Sequence, residues 1–328
     1  MLRRSTYLSY TSLIIAFALI LVGCKKQEYE LPTAKDGLQN DAIKRTLGPN
    51  MVGQTIEIAY AMAIKPEQGK ISSAQVEASI PGATGTFLQN NSFYTNASGV
   101  DVPVQIGAPS VTTGATTLVT FGKDTSAATL RYTYVIPEEA RSKTVSFKFS
   151  ATSSNGQTVT FDLGPYTVSK MDMVRNLNVS NNNLAYISIE NMAVYNSANA
   201  AANAGKVDLV YLFRNISTSA FNHAFVSPAA TEYLPGVTLP AGVNRSSKIL
   251  KAFNLQDYNL ALKQFGIYID DRDFQEIDLS AAPNFAINMK AEAGAWIETA
   301  DGKYRAYIYI NSVNAAGTAV ISIKRYAM

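Results

Sequence analysis

Between Ala128 and Val168 the chain alternates apolar and polar residues with a period of two, and no other feature narrows the choice of fold as much. Leu130, Tyr132, Tyr134 and Ile136 share one face, Val145, Phe147 and Phe149 share the next, and Val159, Phe161 and Leu163 run back. Successive side chains of an extended chain point to opposite sides, so this pattern is a series of half-buried strands. The parity of Tyr132 and Tyr134 with Leu130 and Ile136 makes them core residues rather than ligand-stacking ones. Pro137 to Ala140 reads as a polar corner with one helical turn. Ser154-Asn155-Gly156 reads as a hairpin, because Asn-Gly accepts the positive φ such turns need. Upstream, Gln54 to Tyr60 places Ile56 and Ile58 opposite Glu57, and turn signals recur at Pro66–Gly69, Pro81-Gly82, Ser98-Gly99 and Gly107–Pro109. Short strands at this spacing predict an antiparallel β-sandwich over residues 51–170.

The composition changes at Ser169–Met173 and in the Asn-rich run Asn176–Asn183, so residues 171–184 read as a linker and 185–328 as a second, β-rich domain. Its expected strands are Ala185–Glu190, Val207–Phe213, Phe285–Ala291, Ala295–Thr299, Tyr304–Asn311 and Ala319–Arg325, with Asp301-Gly302 as a tight turn. Two short helices are expected. One lies in Ser197–Ala204 and ends at Gly205. The other is capped by Asn254 and runs Leu255–Phe265, with Leu255, Tyr258, Leu262 and Phe265 on one stripe. The fold class is therefore mainly β: an N-terminal immunoglobulin-like sandwich, then a β-rich domain with one or two short helices.

Cys24 is the chain's one cysteine. It follows Arg3, Arg4, an apolar run from Leu13 and the small Gly23, the order of a secretory signal over residues 1–23. Eleven apolar residues fall short of the roughly 20 that span a bilayer. Residues 24–50 lack periodicity, carry Pro32, Gly37, Gly48 and Pro49, and read as a flexible tether. The whole chain holds 28 basic and 25 acidic residues. Without the two leader arginines the balance is nearly even, so nothing offers nucleic acid the clustered basic surface it needs.

Leu21-Val22-Gly23-Cys24 resembles the bacterial lipobox. The resemblance implies that Cys24 becomes the first mature residue and carries acyl chains, palmitate among them. More than one chain is needed for stable anchoring. It also implies that no thiol remains for a disulfide, a nucleophile or a metal. Lys25 behind the cysteine resembles an outer-membrane sorting signal, and Glu28 and Glu30 resemble an acidic surface-export signal, which favours the cell surface. The run PEEARSKTVSFKFSATSSNGQTVTF resembles the last hairpin of immunoglobulin-like modules of bacterial surface lipoproteins. The runs SPAATEYLPGVTLPAGVN, GIYIDDRDF and DGKYRAYIYINSVN resemble a set of two-domain Bacteroidetes lipoproteins of unknown function. That resemblance implies a two-domain β-rich lipoprotein and transfers no catalytic residue.

Four groups of residues are candidates for chemistry. Asp270, Asp271, Asp273, Glu276 and Asp278 crowd one stretch. Asp271 and Asp273 have calcium-loop spacing, but the turn glycine is missing and Arg272 intervenes, so a solvated acidic loop is the favoured reading. His223, the only histidine, sits among Phe221, Ala224 and Phe225 and reads as structural. Neither stretch is assigned a metal. Glu190, Glu292 and Glu298 have no spacing that supports a glycosidase pair. In Tyr304–Ile310, if Tyr304, Ala306, Ile308 and Ile310 face a core, Arg305, Tyr307 and Tyr309 share the other face, with Trp296 on the neighbouring hairpin strand. Together these four could form a ligand-binding platform, or a helix could cover them. The expected function is a non-catalytic outer-membrane lipoprotein acting as a binding module for glycans, without a cofactor. The alternative is a structural or assembly subunit that binds another envelope protein.

Overall fold

The computed structural model describes residues 36–214, 221–263 and 266–328. Cys24, the leader and the first part of the tether lie outside them, as does Phe265. From Gly37 to Met328 the chain forms one compact unit.

Eleven strands come first: β1 (Gln39–Lys44), β2 (Thr55–Ala63), β3 (Ile71–Ala78), β4 (Phe87–Leu88), β5 (Asn91–Thr95), β6 (Asp101–Gln105), β7 (Val111–Thr113), β8 (Thr116–Thr120), β9 (Ala127–Val135), β10 (Thr144–Ser153) and β11 (Thr158–Thr167). Two sheets, β1-β2-β9-β4 and β11-β10-β3-β8-β7, face each other, and β5-β6 is a separate hairpin. The period-two pattern produces this sandwich directly. Ile56, Ile58 and Tyr60 of β2 join Leu130, Tyr132 and Tyr134 of β9, against Val76 of β3 and Phe147 and Phe149 of β10. Rings interlock across the layer, with Tyr60 4.9 Å from Phe149 and Tyr134 5.0 Å from Phe147 between centroids. The polar corner forms a 3-10 turn at Glu138–Ala140, and Gly156 holds φ +82° in the β10–β11 loop. One expectation needs correcting: Gln39–Lys44, read as part of the tether, is an edge strand. Its six residues pair with β2 yet bury only Ala42, so it carries almost no apolar signal.

The second half adds β12 (Met171–Ser180), β13 (Tyr186–Ser188), β14 (Ala193–Tyr195), helix α1 (Ser197–Ala202), β15 (Leu209–Arg214), β16 (Asn222–Val226), β17 (Lys248–Phe253), helices α2 (Tyr258–Ala261) and α3 (Asp271–Glu276), and β18 (Phe285–Met289), β19 (Ala293–Glu298), β20 (Tyr304–Asn314) and β21 (Thr318–Ala327). These make two further five-stranded sheets, β12-β21-β20-β19-β17 and β14-β13-β15-β16-β18. Ile297, Ile308, Ile310, Ile321 and Ile323 of the first meet Ile187, Leu209, Tyr211 and Phe225 of the second. Residues 171–184, expected as a linker, are mostly β12. That strand pairs with β21 through an irregularity between Val174 and Leu177, where Asn176 takes φ +60°. The polar run is an edge strand with a bulge.

Each sheet of this second sandwich is also covered on its outer face. Ala230, Leu234 and Val243 of the 227–247 loop, with Ala200 of α1, pack on Tyr186, Val210, Leu212 and Ala224. Leu260, Ile269, Phe274 and Leu279, from the segment carrying α2 and α3, pack on Trp296, Tyr307, Tyr309 and Tyr326. The expected helix over Leu255–Phe265 is only four residues long and starts later. Asp257 caps it, Asn254 sits at φ +55°, and Leu262 ends it in the left-handed region.

Candidate functional site

Strand β20 has the parity read from sequence: Ala306, Ile308 and Ile310 enter the sandwich core, and Tyr307 and Tyr309 point the other way. Trp296 and Tyr307 are direct cross-strand partners with centroids 4.9 Å apart. That outer face is not open. Tyr307 is 0% exposed, Trp296 7%, and Tyr309 is equally buried. Phe274 of α3 stands edge-on to Trp296 at 5.3 Å and lies parallel to Tyr326 at 5.7 Å. The exposed platform of Trp296, Arg305, Tyr307 and Tyr309 is therefore corrected to a covered core. Burial pushes the Tyr307 hydroxyl well above the usual phenol range. It donates to Leu255 O at 2.7 Å. Gly294 makes room for it, since a Cβ there would lie 2.2 Å from the Tyr307 oxygen. Arg305 fastens the cover. Its guanidinium donates to Phe274 O (2.7 Å) and Ile277 O (3.1 Å) at the end of α3, and pairs with Glu298 at 3.0 Å. A helix end leaves such carbonyls without intrahelical partners, and arginine supplies the donors.

Beneath the cover lies an ion pair that sequence reading missed. Lys324 of β21 and Asp257 are both 0% exposed and 2.6 Å apart. Lys324 Nζ also donates to Asn259 Oδ1 (2.9 Å) and Ile269 O (2.8 Å), while the Asp257 carboxylate accepts from Leu260 N (3.0 Å) and Ile269 N (2.7 Å). Burial pulls the lysine's pKa down from its usual value. Every partner belongs to the covering segment, so the pair fixes that segment's path. Two signals were legible: an aspartate three residues before Leu260 is an N-cap pattern, and Lys324 alternates with Ser322 and Tyr326 on the tyrosine side of the sheet.

The other candidates have structural partners. The acidic stretch is helix α3 rather than a loop. Asp270 and Asp273 form its capping box, Arg272 pairs with Glu276 at 2.6 Å, and Asp278 accepts from Ser280 N at 2.9 Å. Asp271 accepts from Ser169 Oγ and from Lys170 N, at the start of the second half. Asp172 ties the two halves together, pairing with Arg141 of the first and Arg325 of the second. Among the described residues no group of three or more His, Cys, Asp or Glu side chains is placed to hold a metal ion. His223 is buried, 2.6 Å from the Tyr211 hydroxyl and packed on Phe213, and burial lowers its pKa. Glu190, Glu292 and Glu298 pair with Lys206, Lys263 and Lys248. They are not brought together.

Open concavities lie elsewhere. One, about 510 Å³, is on the outer face of the first sandwich. Its floor is made of small outward-facing residues of β2 and β9, with Ala61 beside Thr129 and Ala63 beside Ala127. Hairpin β5-β6 forms a wall, held by Thr129 N donating to Ser92 Oγ at 3.0 Å. Phe93 and Tyr94 line that wall. The Arg131 guanidinium lies 3.8 Å from the centre of the Phe93 ring and pairs with Asp101, while Tyr94 is 56% exposed. Gln39 and Asp41 lie on the opposite side, on the outward parity of β1, whereas Asn40 turns to the inner face and donates to the Tyr60 hydroxyl at 2.9 Å. The alternating Ala59, Ala61 and Ala63 of β2 were the available signal, because a strand that shows only methyl groups outward leaves a hollow. A second hollow, about 370 Å³, lies at the junction of the two sandwiches, lined by Arg45, Leu47, Glu57, Tyr258, Asn259 and Tyr268. Gly48, at φ +76°, lets the Tyr268 ring pack against the backbone there.

Comparison with known proteins places this geometry in a family. Residues 35–168 match the domain of unknown function DUF4466, and residues 169–328 match the domain of unknown function DUF8576. The crystal structure of a DUF4466 family protein from Parabacteroides merdae is 50% identical. The match covers 89% of this chain and 99% of that one, with a TM-score of 0.82. A cohesin module from a Clostridium perfringens family 33 glycoside hydrolase (11% identical, 39% of this chain and 97% of that one, TM-score 0.24) and a 35 kDa fragment of the Streptococcus agalactiae major pilin GBS80 (9%, 80% and 86%, 0.28) are too distant to carry an argument. No curated protein matches. With half its residues identical to the Parabacteroides protein over nearly the full length of both, the chain belongs to the DUF4466 family.

Proposed function

We propose that this chain is a non-catalytic lipoprotein of the outer membrane, anchored through Cys24 and displayed on the cell surface, whose folded body binds glycans. The observation that carries the binding reading is the hollow on the first sandwich. A sugar offers a face of C–H groups and an edge of hydroxyls. Aromatic rings suit the first, and planar amides and carboxylates suit the second. Tyr94 and Phe93 on one side, and Gln39 and Asp41 on the other, supply both kinds of group around a floor too small-chained to fill the space. Ligand sites commonly combine such a concavity with a few convergent polar groups.

The test is calorimetric titration of the body with neutral cello-, malto-, manno- and xylo-oligosaccharides. Binding of one series, lost in Tyr94→Ala and Asp41→Ala and kept in Tyr258→Ala, supports the reading. Binding that survives both groove variants moves the site elsewhere. The absence of binding to every series removes the glycan class. The anchor is tested separately: Cys24→Ala is expected to lose lipid labelling and remain unprocessed.

A further inference from the structure

Under the covering segment a buried amine is set against a carboxamide. Lys324 of β21 is the cross-strand partner of Tyr307, and none of its side chain is exposed. Its Nζ stands 2.9 Å from Asn259 Oδ1 and 2.6 Å from Asp257 Oδ2. Asn259 Cγ is one carbonyl bond beyond Oδ1, so the nitrogen lies within about 4 Å of that carbon. This is close to the separation of a near-attack pair, and the terminal torsion of asparagine is soft enough to turn the carbonyl face towards Nζ. Asp257 is held in place beside both, because Leu260 N and Ile269 N donate to its two oxygens at 3.0 Å and 2.7 Å. Burial pulls the Lys324 pKa down, which favours the neutral, nucleophilic amine. The neighbouring core of Phe274, Trp296, Tyr307 and Tyr326 excludes water, whereas Asn259 is half-buried and lines the junction hollow.

We propose that Lys324 and Asn259 become joined by an isopeptide bond that the folded protein forms by itself, with Asp257 as the acid–base group. Asp257 first takes a proton from the Lys324 ammonium, which frees the amine. Nζ then bonds to Asn259 Cγ. The Cγ–Nδ2 bond breaks as Asp257 gives its proton to Nδ2 and takes a second one from Nζ. Nζ keeps its last hydrogen as an amide N–H. The ammonia leaves through the junction hollow, carrying the proton from Asp257 away as ammonium. The exchange is one amide for another, so no oxidant or reductant is needed, and escape of ammonia to solvent drives it forward. The bond would staple the covering segment to β21 across 65 residues of sequence. A covalent link over such a loop stabilises chiefly by restricting the unfolded chain. The proposal depends on neither the lipid anchor nor the glycan groove.

The experiment is peptide mapping of the purified full chain by mass spectrometry after denaturation and trypsin digestion. Trypsin does not cut after an acylated lysine, so the expected product is a branched peptide in which residues 252–263 are joined to residues 306–325. Its mass is expected to be one ammonia below the sum of the two separate peptides, with fragment ions placing the link at Asn259 and Lys324. Asn259→Ala, which keeps the Lys324–Asp257 pair, is expected to fold and to give only linear peptides. Asp257→Ala is expected to give only linear peptides as well. Two results would overturn the proposal: full recovery of the two linear peptides from the wild-type protein, or a branched peptide that persists in Asn259→Ala or is lighter by one water, which would put the link on a carboxylate instead.

Discussion

The first sandwich and the second use the same construction and treat their outer faces differently. In the first, buried and accessible residues alternate strictly along β9, so its outward residues Arg131, Thr133 and Val135 remain at least partly accessible. In the second, β20 is buried on both sides from Ala306 to Ile310, because the α2–α3 segment closes its outer face. A sheet open on one side reads as strict alternation, whereas a sheet covered on both sides reads as a near-continuous apolar run. AATLRYTYV in β9 is the first kind, and YRAYIYI in β20 and LVYLF in β15 are the second. The lesson concerns aromatic residues in particular. Tyrosines on the outward parity of a strand belong to a surface in an alternating context and to a second core in a continuous one.

The sharpest way to break this comparison is to truncate one outward residue in each sandwich. Tyr307→Ala is expected to destabilise the protein by about 3–5 kcal/mol, since it removes a large buried aromatic and strands Leu255 O. Thr133→Ala, on the outward side of β9, is expected to change stability by no more than about 0.5 kcal/mol. Chemical denaturation of both variants, with unfolding of the two halves followed separately, checks the contrast.

The ion pairs sharpen it next. Asp257→Ala leaves Lys324 buried without its carboxylate and is expected to cost about 3–5 kcal/mol. Asp124→Ala, which breaks the exposed Lys70–Asp124 pair of the first sandwich, is expected to leave the melting temperature unchanged.

A third test uses pH. Burial raises the Asp208 carboxyl from 3.8 to about 6, despite Arg245 Nε at 3.1 Å. The folded state therefore holds this proton more tightly than the unfolded one, so the residue favours folding at low pH. That advantage is lost as pH rises from about 4 to about 6, and over the whole window it amounts to roughly 3 kcal/mol. Asp208→Asn is expected to flatten the stability profile across that window, measured by thermal unfolding against wild type. Tyr94→Ala is expected to leave folding within about 0.5 kcal/mol of wild type while weakening oligosaccharide binding.

Much of this architecture was legible in the residues. The inward sets of β2, β9 and β10, the Gly156 and Gly302 turns and the place of Trp296 on the strand next to β20 all follow from local patterns of two to four residues. Parity tells which side chains share a face and is silent on what lies against that face. The covering segment reaches Trp296 and Tyr307 from residues 255–279, through contacts that leave no periodic trace in a helix of four residues and another of six. Edge strands were missed for a related reason. QNDAIK in β1 and MDMVRNLNVS in β12 are held mainly by backbone pairing, and such pairing has no residue signature. The alanine-floored hollow was legible in β2 as alternating methyl groups, but its aromatic wall comes from a hairpin whose docking is set by tertiary contacts.

Trp296, the chain's one tryptophan, sits under the covering segment and reports on it directly. Its fluorescence in the folded protein, with acrylamide as quencher, therefore tests whether the outer face of this sheet is a second core. Blue-shifted emission with little quenching is expected in wild type, becoming red-shifted and readily quenched in Asp257→Ala while the first sandwich stays folded. Red-shifted, strongly quenched emission from the wild-type protein would contradict the covered face and return Trp296, Tyr307 and Tyr309 to the surface.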